Sequence, residues 1–130
     1  MATRTNISSG SPFEPVFGFS RAVKVGNQIF VSGTTAIRPD GTVAGVGDAY
    51  TQTVETLRTI ETALRQAGAT LKDVVRTRMF ATNLAHTEAI GKAHAEFFGA
   101  IRPASTLVEV ARLVHPDMLI EIEADAVILV

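Results

Sequence analysis

RPASTLVEVARLVHPDMLIEIEADAV, residues 102–127, holds two runs of strict alternation. In the first, Thr106, Val108 and Val110 alternate with Ser105, Leu107 and Glu109; in the second, Ile120, Ile122, Ala124 and Ala126 alternate with Glu121, Glu123 and Asp125. Side chains on a strand point to opposite faces in turn, so each run predicts a half-buried strand. The even-numbered face of both is expected against the core. The odd-numbered face, with its hydroxyl and carboxylates, is where function is to be sought.

Upstream, Ser20–Val25 and Gln28–Thr34 flank Gly26-Asn27, a pair that tolerates the positive φ of a tight hairpin turn. Residues 37–47, IRPDGTVAGVG, read as loop, with Pro39-Asp40-Gly41 supplying turn chemistry. Asp48 is placed to cap a helix whose stripe is Tyr50, Val54, Leu57, Ile60, Leu64 and Ala67, ended by Gly68. Asp73–Thr82 predicts a strand with Val75, Thr77, Met79 and Ala81 on one face and Arg76, Arg78 and Phe80 on the other. Thr87 caps a second expected helix, with Ile90, Ala93, His94, Phe97 and Phe98 along one side and Gly99 at its end. The order is β-β-α-β-α-β-β, an α+β fold with two helices on one face of a mixed sheet. Residues 1–17 are expected to be an extended, exposed lead-in, since Pro12 and Pro15 disfavour a helix.

The 130 residues suit one domain with a single core. A formal net charge of -1 gives no electrostatic footprint for nucleic acid or an anionic membrane. The sequence has no cysteine, which excludes disulfides, thiolate catalysis and cysteine-ligated zinc. No apolar run could span a bilayer and the first ten residues are not signal-like, so a soluble, cytoplasmic protein is expected. His86, His94 and His115 lack metal-ligand spacing, and no Walker loop, GxGxxG or GxSxG motif occurs; no metal or cofactor is expected.

The segments VEVARL and IEIEA resemble, letter for letter, the signature of the RidA/YjgF family. The resemblance implies the chorismate-mutase-like RidA fold, a homotrimer, and small-molecule clefts between subunits. It also implies a deaminase or hydrolase, needing no cofactor, that acts on imines or enamines. Glu121 corresponds to the glutamate thought to position water or move a proton. The alternative for it is an ion pair with Arg76 or Arg78. Ser105 stands where deaminating members carry a carboxylate-binding arginine, and a hydroxyl offers no charge-assisted grip. Thr106 and Leu107 follow it on the same strand.

Phe19 stands in place of a cleft tyrosine and keeps the ring without the hydroxyl, while Gly91 replaces a cleft asparagine. Ser32 and Gly33 match a step whose backbone amides could hold a ligand oxygen. Arg21, Arg78 and Arg112 are the cations that could replace the missing arginine, or be salt-bridged surface or interface residues. Glu109 and Arg112 are expected to serve the subunit interface. Two other readings stay open: a non-catalytic trimeric binding protein, favoured by the losses at Phe19, Gly91 and Ser105, and an endoribonuclease, disfavoured by the net charge of -1.

Overall fold

The computed structural model describes residues 3–129. Its strands are β1 (Arg4–Ile7), β2 (Ala22–Val25), β3 (Gln28–Thr34), β4 (Val74–Ala81), β5 (Ala104–Glu109) and β6 (Ile120–Val127); its α-helices are α1 (Phe13–Phe17), α2 (Ala49–Gln66) and α3 (Thr87–Phe98). The described residues form one sheet in the order β1-β2-β3-β6-β4-β5. Only β4 and β5 run parallel, joined by the crossover through α3, so the sheet is mixed as the patterning predicts. β6, with an apolar residue at every second position, lies in the interior and buries its even-numbered side chains completely.

The α2 and α3 helices cover one face. Asp48 caps α2, its carboxylate accepting from the Thr51 N–H at 3.1 Å and the Thr51 hydroxyl at 2.8 Å. Beyond Gln66 the chain turns out of the helix through Gly68 at φ 85, a conformation open to glycine without strain. Leu57, Ile60 and Leu64 lie fully buried against the strands, but Tyr50 and Val54 only half-buried. The stripe instead includes Gln52, Thr53 and Thr56. Gln52 belongs there because its amide donates to the carbonyls of Gly45 and Asp117 and accepts from the Leu119 N–H, fastening two loops to the helix.

Three expectations are corrected. The lead-in is structured: β1 pairs antiparallel with β2, and α1 forms with Pro12 at its N-cap and Pro15 in its first turn, where a proline costs no helical hydrogen bond. Val75 is exposed and Val74 buried, because the β4–β6 register shifts between Val74 and Arg76. Most consequential, β5 faces the other way. Its parallel register sets Ser105 beside Thr77 and Leu107 beside Met79, on the helix side, and Thr106 and Val108 beside Arg78 and Phe80, on the open face. Alternation fixes which residues share a face but not which face is inward, and on an edge strand burial is too slight to tell them apart.

The open face carries Val25, Phe30 (46% exposed) and Val108 (41% exposed) around a charged centre. There Arg78 pairs with Asp125 at 3.1 Å and Glu123 at 3.6 Å.

Candidate functional site

A cavity of about 520 Å³ opens where α1, the β2–β3 hairpin and β6 meet. Phe13, Phe17, Phe19, Ile37, Val114 and Met118 supply apolar wall, and Arg21, Arg38, Glu121 and Glu123 the charge. Arg21 precedes β2 on the side opposite the buried Ala22 and is itself only 5% exposed. Its Nη1 donates to the Gly33 carbonyl at 2.7 Å and the Thr34 hydroxyl at 2.9 Å. Its Nε faces the Glu14 carboxylate at 3.6 Å and makes no hydrogen bond. A buried cation needs a nearby opposite charge, and Glu14, also 5% exposed, stands beside it. Burial pushes the Glu14 carboxyl up, but hydrogen bonds from Ser9 and Ser8, with Arg21, hold it below the usual carboxylate range.

Glu121 lies across Gly33, at which a β-carbon would collide with Glu121 Oε2. Glycine thus lets the Glu121 carboxylate approach the backbone there, and any side chain at this position would push that carboxylate aside. Burial pushes the Glu121 carboxyl up, and neighbouring Glu123 adds to this; Arg21 pulls it down but does not prevail. The result is a carboxyl raised above its ordinary value in a cleft, where a carboxyl can both give and take a proton. Its influential cation is Arg21, not the expected Arg76 or Arg78.

Of the candidate residues, Phe19, Arg21, Ser32, Gly33 and Glu121 line one cavity. Ser32 is less available than expected: its hydroxyl donates to the Ser20 carbonyl at 2.6 Å and its N–H to the Arg21 carbonyl at 2.9 Å. The remaining candidates lie elsewhere. Arg78 belongs to the open-face ion-pair cluster, with Thr106 beside it, and Leu107 packs on the core. Arg112 is exposed, and Glu109 accepts from the Leu84 N–H at 3.0 Å, a contact within its own chain.

Ser105 heads a separate polar chain on the helix side of the sheet. Its hydroxyl lies 2.8 Å from Thr77 Oγ1, which is 2.9 Å from His94 Nε2. Burial lowers the His94 pKa, and the ring packs against Phe98 with centroids 4.8 Å apart. Gly91, exposed, sits three residues before His94 on α3, one turn along the same side. The cavity around Glu121 and the polar chain from Ser105 to His94 therefore lie on opposite faces of one sheet.

Reading the first 17 residues as lead-in missed Glu14, Phe13 and Phe17, and reading residues 37–47 as plain loop missed Arg38. A signal for the former was present: PFEPVFGF, residues 12–19, sets one carboxylate among aromatics in a polar segment. Among the described residues no group of three or more potential metal ligands occurs, and no helix is long and apolar enough to cross a membrane.

The family model described as endoribonuclease L-PSP matches residues 10–128. A 3-aminoacrylate deaminase RutC of Acinetobacter baylyi is 39% identical over 120 residues, 92% of this chain and 94% of its own. A RutC family protein of Pyrococcus abyssi is 39% identical over 113 residues, 87% of this chain and 88% of its own. Among solved structures, a member of the YjgF/YER057c/UK114 family from Mycobacterium tuberculosis superposes with a TM-score of 0.89 at 48% identity, covering 97% of this chain and 100% of that one.

Proposed function

Since the chain belongs to the RidA/YjgF family, we propose that it is a deaminase that hydrolyses an imine or enamine metabolite in clefts between the subunits of a homotrimer. The observation that carries the reading is Glu121, a carboxyl held above its ordinary range at one wall of a largely apolar cavity. Hydrolysis of an imine needs a water and two proton transfers. Water adds to the carbon of C=N while the nitrogen takes up a proton; the resulting carbinolamine then loses ammonia and leaves a carbonyl. One residue that both accepts the proton of water and donates to nitrogen serves both steps, and no cofactor is required. An enamine first takes a proton on carbon to become the imine.

Two features support a cleft between subunits. Glu121 and Ser105 point to opposite faces of one sheet, so a site containing both needs a second copy, and a head-to-tail contact that closes after three copies would provide it. The open face, with Phe30 and Val108 exposed around paired charges, is the surface such a contact would cover.

The test is ammonia release from 3-aminoacrylate generated in place, with sedimentation equilibrium on the same protein. The expected results are turnover that falls at least about a hundredfold in Glu121→Ala, and a mass three times 13.8 kDa. Ligand binding without turnover in a trimer would instead favour the non-catalytic binding protein, to which the missing hydroxyl at Phe19 also points. Against an endoribonuclease stand the net charge of -1 and the pairing of Arg78 with Glu123 and Asp125.

A further inference from the structure

We propose that Arg38, rather than the buried Arg21, is the residue of this cavity that holds a ligand's carboxylate. The inference deepens the deaminase reading and rests on it only for the reaction.

Two arginines line the cavity, and their surroundings divide the work between them. Arg21 is buried and committed, its Nη1 to two protein oxygens and its charge to Glu14 and Glu121. Reaching a ligand would strip it of partners it needs. Arg38 is exposed, and its guanidinium makes one long hydrogen bond, 3.4 Å to the Thr42 hydroxyl. That hydroxyl already donates to Asp40 Oδ1 at 2.6 Å, and the Asp40 carboxylate attracts the guanidinium without a close ion pair. The backbone beneath it is fixed. The Arg38 N–H donates to the Thr42 carbonyl at 2.7 Å, the Arg38 carbonyl accepts from Gly41 at 2.9 Å, and Ile37 bridges to Val43. An exposed guanidinium held only by a long hydrogen bond and a loose charge contact, on a rigid turn beside an apolar cavity, is suited to a bidentate hold on one carboxylate.

The rest of the cavity bears on what that carboxylate is attached to. Phe13 and Phe17, with ring centroids 5.8 Å apart, stand with Phe19 and Met118 as wall for an apolar body. Glu121 and Glu123 would repel a second carboxylate. Ser105, on the far face of its own sheet, supplies no cation, so Arg38 provides from this chain the charge that the resemblance places elsewhere.

The assignment is tested by calorimetric titration of the full-length protein with benzoate and with benzamide at pH 7.5. One charge-assisted pair should make benzoate bind about ten- to a hundredfold tighter. Arg38→Gln should remove that difference, Arg38→Lys should retain part of it, and Arg65→Gln, on the exposed end of α2, should leave it intact. Equal binding of the two probes, a preference that survives Arg38→Gln, or failure of both to bind overturns the assignment. Turnover is read separately. If 3-aminoacrylate is not deaminated yet the preference follows Arg38, the deaminase reading falls and the carboxylate assignment stands. If it is deaminated while the preference is indifferent to Arg38, the assignment falls and the deaminase reading stands.

Discussion

Replacing Glu14 by glutamine keeps the shape of a buried side chain and removes its charge. It leaves Arg21, 5% exposed and with an Nε that already lacks a hydrogen bond, without its nearest carboxylate. Breaking a buried pair from one side costs about 3–5 kcal/mol. The lower end applies here, because Glu121 still acts on Arg21 and the bonds to Gly33 and Thr34 persist. For a domain of this size about 3 kcal/mol lowers Tm by roughly 10–15 °C. The pH dependence has a definite sign. The Glu14 pKa is held below its ordinary value of 4.5, so its contribution is fully present above that pH and is lost as pH falls through the lower folded value. Thermal melts followed by circular dichroism at pH 7.5 and through the acid range should show a large gap between wild type and variant that narrows on acidification. A variant melting within about 2 °C of wild type at pH 7.5, or a gap indifferent to pH, would refute the reasoning.

Glu121 should behave in the opposite sense. Its folded pKa is raised, so ionisation opposes folding as pH rises through that value; Glu121→Gln should abolish turnover yet match or exceed wild-type Tm at pH 8, an advantage that shrinks below the ordinary carboxylate range. Gly33→Ala forces Glu121 aside and should lower turnover about tenfold or more with little change in the circular dichroism spectrum. Val108→Asp and Phe30→Asp, on the open face, should convert the proposed trimer to monomer in sedimentation while far-UV signal persists, because both side chains lie outside the core of the single chain. Ser105→Arg should raise turnover on a carboxylate-bearing imine only in a protein that still assembles, since its side chain leaves the sheet on the face away from Glu121; an active monomeric form would contradict the divided site.

Legibility followed burial. β6 could be read position by position because an interior strand with one wholly apolar side has one solution, and α2 could be bounded because Asp48 and Gly68 mark its ends chemically. The same alternation misled at β5, which sits at the edge and gains little from either orientation; the deciding fact, its pairing with β4 in register, is a long-range contact with no local trace. Gln52 broke the apolar stripe of α2 for a similar reason, since its partners are distant loops, whereas Thr53 bonds back to the Ala49 carbonyl of its own helix. In the cavity, Glu121 is named by the IEIEA segment and Gly33 and Phe19 by the family positions they resemble. Glu14 and Arg38 are not, because one lies between prolines and the other beside a turn, and each gains its meaning from Arg21 or the cavity wall.

The contacts from Ser105 through Thr77 to His94 join three groups that cannot orient independently. Each hydroxyl has a single proton to give. When His94 Nε2 accepts, Thr77 spends its proton on the ring, Ser105 spends its own on Thr77, and the exposed end of the row shows only lone pairs. When Nε2 carries the hydrogen, every bond reverses and Ser105 turns its proton outward. The polarity that the edge strand presents is therefore chosen at an imidazole on another element, and a molecule that needs an acceptor or a donor at Ser105 selects the tautomer of a half-buried ring. Substitutions at the three positions should accordingly fail to add, because removing any one of them releases the other two from the shared direction.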